Sequence, residues 1–258
     1  MSKERLHIMY HLWSMLLVLF MIFISIRYLK AARQHNKEVE KWRKVSFFTG
    51  VVLFLAAQTS PMLTLGHASF IAHMLQQTIT YFVVPVFILL GMTEGLLQPF
   101  YKHPVANKVL KIFTNPKVSL PVFILLFSSY YLPFIFNAVM SHFLFQLFAT
   151  VLLLPFAFFE WWSIISLDKP YYVLSPFQKI VYVIGLGLFF SPLGFYLIFS
   201  GDALYDAYAF WDQQAGGTIW KVSTVLIYIL VIGQLLSEAV KLDRQDMSDA
   251  AGYVRYDK

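Results

Sequence analysis

The sequence contains no cysteine. That absence excludes disulfides, thiolate metal sites and cysteine nucleophiles together, so any metal would be held by His, Met, Asp, Glu or backbone oxygen. Charge is scarce as well. Only 13% of the 258 residues are Asp, Glu, Lys or Arg, where soluble domains carry about 25%. The charge that remains gathers in short connections and leaves long uncharged runs between them. HExxH, GxSxG and the glycine-rich phosphate loop are all missing, so no familiar catalytic signature is present and the chain reads as non-enzymatic.

What is present is apolar: hydrophobic residues make up 59% of the chain and aromatic ones 18%. A membrane-spanning helix needs roughly 20 predominantly apolar residues. The sequence offers seven such runs, at about 8–26, 45–60, 66–91, 118–136, 142–167, 179–199 and 218–240. Little chain is left over for a soluble domain, and residues 1–258 read as a single membrane domain. The first run is longer than the apolar stretch of a signal peptide and has no small-residue cleavage site before Arg27, which makes it the first span. Ser60-Pro61 stops the second run, because the residue before a proline is pushed out of helical geometry. Asp168-Lys169-Pro170 breaks the chain after the fifth run, and Pro192 kinks the sixth. Met92 to Lys117 reads as a polar, basic connection, and Ser200 to Gly217 as an acidic loop.

The basic residues give an orientation. Across alternate connections, 17 of the 20 Lys and Arg fall on one side, leaving Lys3, Arg5 and Lys221 on the other. Positive charge marks the cytoplasmic side. The expected fold is therefore an all-α integral membrane protein, a seven-transmembrane-helix bundle with its N-terminus outside and its C-terminus cytoplasmic. The net charge of +6 orients the helices and meets anionic lipid, and it implies no nucleic-acid partner.

Polar groups inside spans are costly and by default face the bundle interior. His73, Gln76, Gln77 and Thr80 fall at helical spacing on one face of the third run, as His142, Gln146 and Thr150 do on the fifth. Both stripes lie in the outer halves of their spans, level with Gln58, Thr59, Tyr130, Tyr131 and the acidic Asp202, Asp206 and Asp212. Such residues also act as plain interhelical glue, at about 0.6–2 kcal/mol for each hydrogen bond. The convergence of two stripes at one depth is what points beyond glue. Met62, Met74 and Met140 lie near the same level, and thioethers are the soft ligands that Cu(I) takes as well as ordinary packing groups. The inner halves of the third and fifth runs are apolar as far as Glu160, which counts against a continuous path for a transported ion or solute. A retinal protein, which a seven-helix count invites, needs a mid-span Lys; Lys221 sits near the end of its run, and that reading is rejected.

Four stretches carry a family resemblance: Trp42-Arg43 with Phe47 and Gly50; Ser60-Pro61 with HMLQQ (His73 to Gln77), Pro85 and Leu90-Gly91; Leu132-Pro133 with His142; and Leu204-Tyr205 with DQQAGG (Asp212 to Gly217). They resemble the CtaG family of membrane proteins for cytochrome c oxidase assembly, over about Trp42 to Trp220. The chain departs from that pattern where family members usually carry His: Gln77, Tyr131 and Gln146 stand there instead. Trp220-Lys221 stands where a Met-Trp pair tends to follow.

The resemblance implies a non-enzymatic assembly factor in the plasma membrane of a bacterium, of Gram-positive type. Such a factor would help a haem–copper oxidase acquire copper at its outer-facing centre. Its partners would be an oxidase subunit or assembly intermediate, together with the lipid bilayer. Copper would be held by His73 and His142, with Met74 and Met140 as soft ligands. Asp212 would gather the ion or stand behind its ligands, and Gln76, Gln77, Gln146, Tyr131 and Gln213 would complete the polar interior. Two other readings stay open at this point: a copper-free scaffold for oxidase biogenesis, favoured by the replaced imidazoles, and a small-ion or solute transporter.

Overall fold

The computed structural model describes residues 3–34, 39–165 and 171–256, with side chains over 8–33, 39–93, 96–165 and 171–244. Lys37, Lys258 and the break at Asp168-Lys169-Pro170 lie outside the described residues. Among the described residues regular structure is helical throughout, without strands.

The prolines expected to end helices more often start them. α1 (Lys3–Gln34) is followed by α2 (Lys41–Gln58), which ends at an extended Thr59. Pro61 then sits in the first turn of α3 (Ser60–Ala68), set at 49° to α2. A first helical turn suits proline, whose missing N–H would have had no partner there, so the chain bends at Ser60-Pro61 and continues instead of stopping. Ser69 is again extended, and α4 (Phe70–Thr78) starts the next span; Gly66 belongs to α3 and not to that span.

After α4 the ladder widens into a π-helical turn, Ile79–Val83, before α5 (Val84–Gly91). Pro85 accounts for it, having no N–H to give the Tyr81 carbonyl four residues back. The Trp161 indole donates to that oxygen instead, at 3.2 Å.

The stretch from Met92 to Lys117, expected to be a polar connection, holds two helices, α6 (Glu94–Lys102) and α7 (Pro104–Phe113). α7 meets α8 (Pro116–Tyr130) at 82°, and the Asn115 side chain caps α8 by accepting from the Lys117 N–H at 3.0 Å. The run expected over 118–136 breaks at Tyr131-Leu132, where Pro133 opens α9 (Pro133–Ser141). An extended His142 separates α9 from α10 (Phe143–Trp162). α11 (Pro176–Phe189) opens on a capping box formed by Ser175 and Gln178. The Ser191-Pro192 step divides it from α12 (Ser191–Phe199), as Pro192 led one to expect. α13 (Phe210–Tyr256) starts earlier than the sequence indicated, so Asp212 to Gly217 form its first turns and are not a loop.

Among the described residues, five helical stretches are long and apolar enough to cross a membrane: Ile8–Arg33, Phe70–Gly91, Phe143–Trp162, Pro176–Phe199 and Phe210–Arg244. The bent pairs α2–α3 and α7–α8 bring the number to seven if each pair counts as one span.

The centre of the bundle is aromatic. Phe82 of the π turn, Phe127 of α8, Phe190 at the joint after Phe189 and Trp220 meet pairwise at ring-centroid distances of 5.5–6.2 Å. Such pairs add about 0.5–1.5 kcal/mol each to the burial of their area. At the end rich in Lys and Arg, α1 and α2 are tied to the end of α5. Tyr28 donates to the Gly91 carbonyl (3.0 Å), Arg43 to Met92 (2.8 Å) and Ser46 to Phe87 (2.7 Å). At the opposite end Ser60 N–H donates to Ser14 Oγ (2.7 Å) and Gln58 Nε2 to Thr80 Oγ1 (2.9 Å). Lys221, on α13, extends its ammonium to the α11–α12 break, donating to the Gly187 carbonyl (3.2 Å) and Ser191 Oγ (2.9 Å).

Candidate functional site

At the end of the bundle away from the basic connections, α3, α4, the π turn, α8, α9 and α10 close with the start of α1 around a cavity of about 30 Å³. That volume holds one ion or a water or two. Among the described residues its lining mixes polar with apolar groups and carries no carboxylate. α4 contributes His73, Gln76 and Gln77, and α10 contributes Gln146 and Thr150. The two polar stripes of the sequence therefore border one space. Tyr130 from α8 and Met140 from α9 join them.

Three polar lining groups were not anticipated: Tyr10 of α1, His67 of α3 and Tyr81 of the π turn. On one unbroken helix, His67 and His73 would lie six residues apart and point in different directions. The extended Ser69 between α3 and α4 breaks that periodicity and turns both imidazoles to the same cavity. Tyr10 Oη donates to Gln146 Oε1 at 2.9 Å and lies 3.4 Å from His67 Nδ1. Gln146 Nε2 in turn donates to the Met140 carbonyl at 3.3 Å. His73 is nearly buried, stacks on Tyr130 with its ring centroid 6.1 Å away, and has the Tyr130 hydroxyl 3.5 Å from Nε2. Gln77 Oε1 is buried without a hydrogen-bond partner.

Other residues singled out in the sequence lie elsewhere. His142 is exposed at the joint between α9 and α10, edge-on to Phe145, and does not line the cavity. Met74 is fully buried in the aromatic core on another side of α4, and Met62 does not reach the cavity. Tyr131 is buried behind the site, its ring 6.2 Å from that of His73.

Asp212 and Gln213 hold elements together. Asp212 Oδ2 accepts from Phe70 N–H (2.7 Å), and its Oδ1 from Ile71 N–H (3.2 Å) and Ser69 Oγ (3.0 Å). A helix N-terminus leaves its first N–H groups without intrahelical partners; here α13 supplies the missing cap to α4. Gln213 Oε1 accepts from Leu204 and Tyr205 N–H (2.8 and 3.2 Å), while its Nε2 donates to the Tyr205 and Tyr208 carbonyls (3.2 and 2.9 Å). The segment so held is stitched over the site, Tyr205 donating to the Tyr131 carbonyl (2.8 Å) and Tyr208 to Gly66 (2.6 Å). Burial pushes both phenols above their ordinary range, so they serve as donors at every physiological pH.

Glu160 lies on α10 near its opposite end. It is buried, and neither carboxylate oxygen has a hydrogen-bond partner. Among the described residues no three of His, Asp and Glu come together in a metal-holding group. A metal at the cavity would rest on imidazole, thioether and neutral oxygen donors.

The family model for the cytochrome c oxidase caa3 assembly factor (CtaG) matches residues 26–241. No curated protein and no solved structure matches the chain.

Proposed function

The chain belongs to the family of cytochrome c oxidase caa3 assembly factors, and from that premise we propose that it relays copper to a haem–copper oxidase during assembly. The observation that carries this reading is the imidazole- and amide-lined cavity, at the end of the bundle away from the basic connections. On the seven-span reading that end faces outward, with the N-terminus outside, the C-terminus in the cytoplasm and the plasma membrane of a bacterium as its setting. An oxidase subunit or assembly intermediate is the partner. The chain carries and hands over an ion; it does not catalyse a reaction. His73 and Met140 are the ligands common to the sequence and the cavity. Gln76, Gln77 and Gln146 line the same space, while Asp212 keeps α4 in place and Gln213 holds the segment of Tyr205 and Tyr208 that closes over the site.

A relay must release its ion, and a small set of neutral donors binds more weakly than a full His and carboxylate cage. A copper-free scaffold is the second reading, favoured by Gln77 and Gln146, which place amides on the cavity wall. Deleting the gene lowers haem–copper oxidase activity on either reading. Partial rescue by added copper, with His73→Ala resembling the deletion, marks the relay; indifference to both marks the scaffold. Normal oxidase activity in the deletion strain defeats both. A reporter fused after Lys258 stays cytoplasmic and one inserted at Asp206 is exported; both on one side would overturn the seven-span orientation.

A further inference from the structure

The hydrogen bonds around the cavity favour one tautomer of one imidazole. Gln146 Nε2 donates to the Met140 carbonyl at 3.3 Å, which fixes the amide so that Oε1 faces Tyr10. Tyr10 gives its only proton to that oxygen at 2.9 Å. Its remaining contact, 3.4 Å from His67 Nδ1, is then one in which the imidazole donates and the phenol oxygen accepts. This weak hydrogen bond biases His67 toward the tautomer whose Nε2 carries a lone pair. An imidazole oriented by a donated hydrogen bond at one nitrogen is the arrangement found behind metal-ligating histidines.

His73 offers a second nitrogen whose Tyr130 contact, at 3.5 Å, is at the limit of a hydrogen bond. Met140 adds a thioether-bearing wall, and Gln77, 6% exposed, lines the same cavity with an unpartnered Oε1. With no carboxylate in the lining, the donors are neutral nitrogen, sulfur and amide oxygen, a set that suits a soft monovalent cation over Mg²⁺, Ca²⁺ or Mn²⁺.

We infer that the cavity is a Cu(I) site in which His67 and His73 supply the imidazoles and Met140 the thioether, and that the exposed His142 is not among its ligands. The inference rests on the relay reading and names the residues that reading requires. Binding forms Cu–N and Cu–S contacts without a change of oxidation state, and only solvent or a carrier ligand leaves the ion.

The test is anaerobic competition for Cu(I) against a chromophoric chelator, using the full-length protein in detergent. One equivalent binds. His67→Ala and His73→Ala each weaken binding by at least about tenfold, on the scale of losses seen when metal-site partners are removed, and His142→Ala leaves it unchanged. X-ray absorption of the copper-loaded protein shows a sulfur scatterer that Met140→Leu removes. Thermal melting of each variant separates lost ligands from lost fold, and His67→Gln, which keeps the size of the side chain, guards against collapse of the wall. A folded parent that binds no Cu(I), or a His142→Ala loss with His67→Ala unaffected, overturns the site. If binding is absent while the deletion strain lacks oxidase activity, the site falls and the assembly role stands; if binding is as expected and that strain is normal, the reverse holds.

Discussion

Asp212→Ala removes the cap that α13 places on α4. Three hydrogen bonds go, two from the backbone N–H groups of Phe70 and Ile71 and one from Ser69 Oγ. Phe70 is fully buried, so water cannot replace the lost acceptor there. Hydrogen bonds to a charged group contribute about 1.5–3 kcal/mol each, and an unsatisfied buried donor costs about 1–3 kcal/mol. Allowing for non-additivity within one network, the loss is about 3–5 kcal/mol. At roughly 2–4 °C per kcal/mol for a chain of this size, the melting temperature of the purified protein falls by about 6–20 °C. Asp212→Asn keeps one acceptor oxygen and loses about 1–2 kcal/mol. Because α4 carries His73 and Gln77, oxidase assembly falls in step with stability. The assay is a thermal melt in detergent beside oxidase activity in cells. A melt of Asp212→Ala within about 2 °C of the parent would falsify the capping role, and loss of copper uptake by Asp212→Asn without any change in melting would return the residue to an ion-gathering role.

Trp161→Phe leaves the Tyr81 carbonyl beside Pro85 without its donor, at about 1–3 kcal/mol, and the smaller ring adds the cost of a void at a buried position; no change in a melt would show that the π turn is satisfied another way. Gly216→Ala places a Cβ 2.6 Å from Phe70 Cδ1 and 3.0 Å from the Phe70 carbonyl carbon and oxygen; this overpacking destabilises by about 1–3 kcal/mol, and Gly216→Leu is worse, so a neutral Gly216→Ala would disprove the close α4–α13 approach. In a chain free of cysteine, the pair Gln77→Cys and Gln146→Cys cross-links under mild oxidation, since both residues line one cavity; reaction with a lipid-soluble thiol reagent instead would place them on the outer surface.

Five of the seven apolar runs were legible as spans because each is long and little charge interrupts it; the second and fourth come as bent pairs. The convergence of Gln77 and Gln146 was legible too, because interior-facing polar stripes at one depth have few places to go. α6 and α7 were not: their composition is mixed, and a connection rich in Lys, Pro and Thr reads the same whether it coils or folds into short amphipathic helices. The glycines of Asp212 to Gly217 misled, since a Gly pair normally punctuates a chain. Here both are helical and serve packing. A Cβ at Gly216 meets Phe70, and one at Gly217 comes within 2.8 Å of Leu197 Cβ. His67 was hidden because periodicity assumes a continuous helix, and the single extended residue Ser69 cancels that assumption. His142 was misplaced for the converse reason. Its spacing to Gln146 fits one helical face, but it is the extended joint before α10, and its side chain leaves that face.

The Lys221 contact makes two distant positions interdependent. The last turn of α11 ends in carbonyls that no following turn of the same helix fully uses, and the C-terminal end of a helix carries partial negative charge. The ammonium of Lys221 occupies that socket through Gly187 and Ser191. A charge that hydrocarbon would reject is tolerated because a proline step keeps the socket open. Straightening the helix with Pro192→Ala strands the ammonium, and Lys221→Met leaves the Gly187 carbonyl with the Ser191 hydroxyl as its remaining side-chain donor. In the double variant each defect removes the reason for the other, so the chain tolerates the two changes together better than the sum of their separate costs.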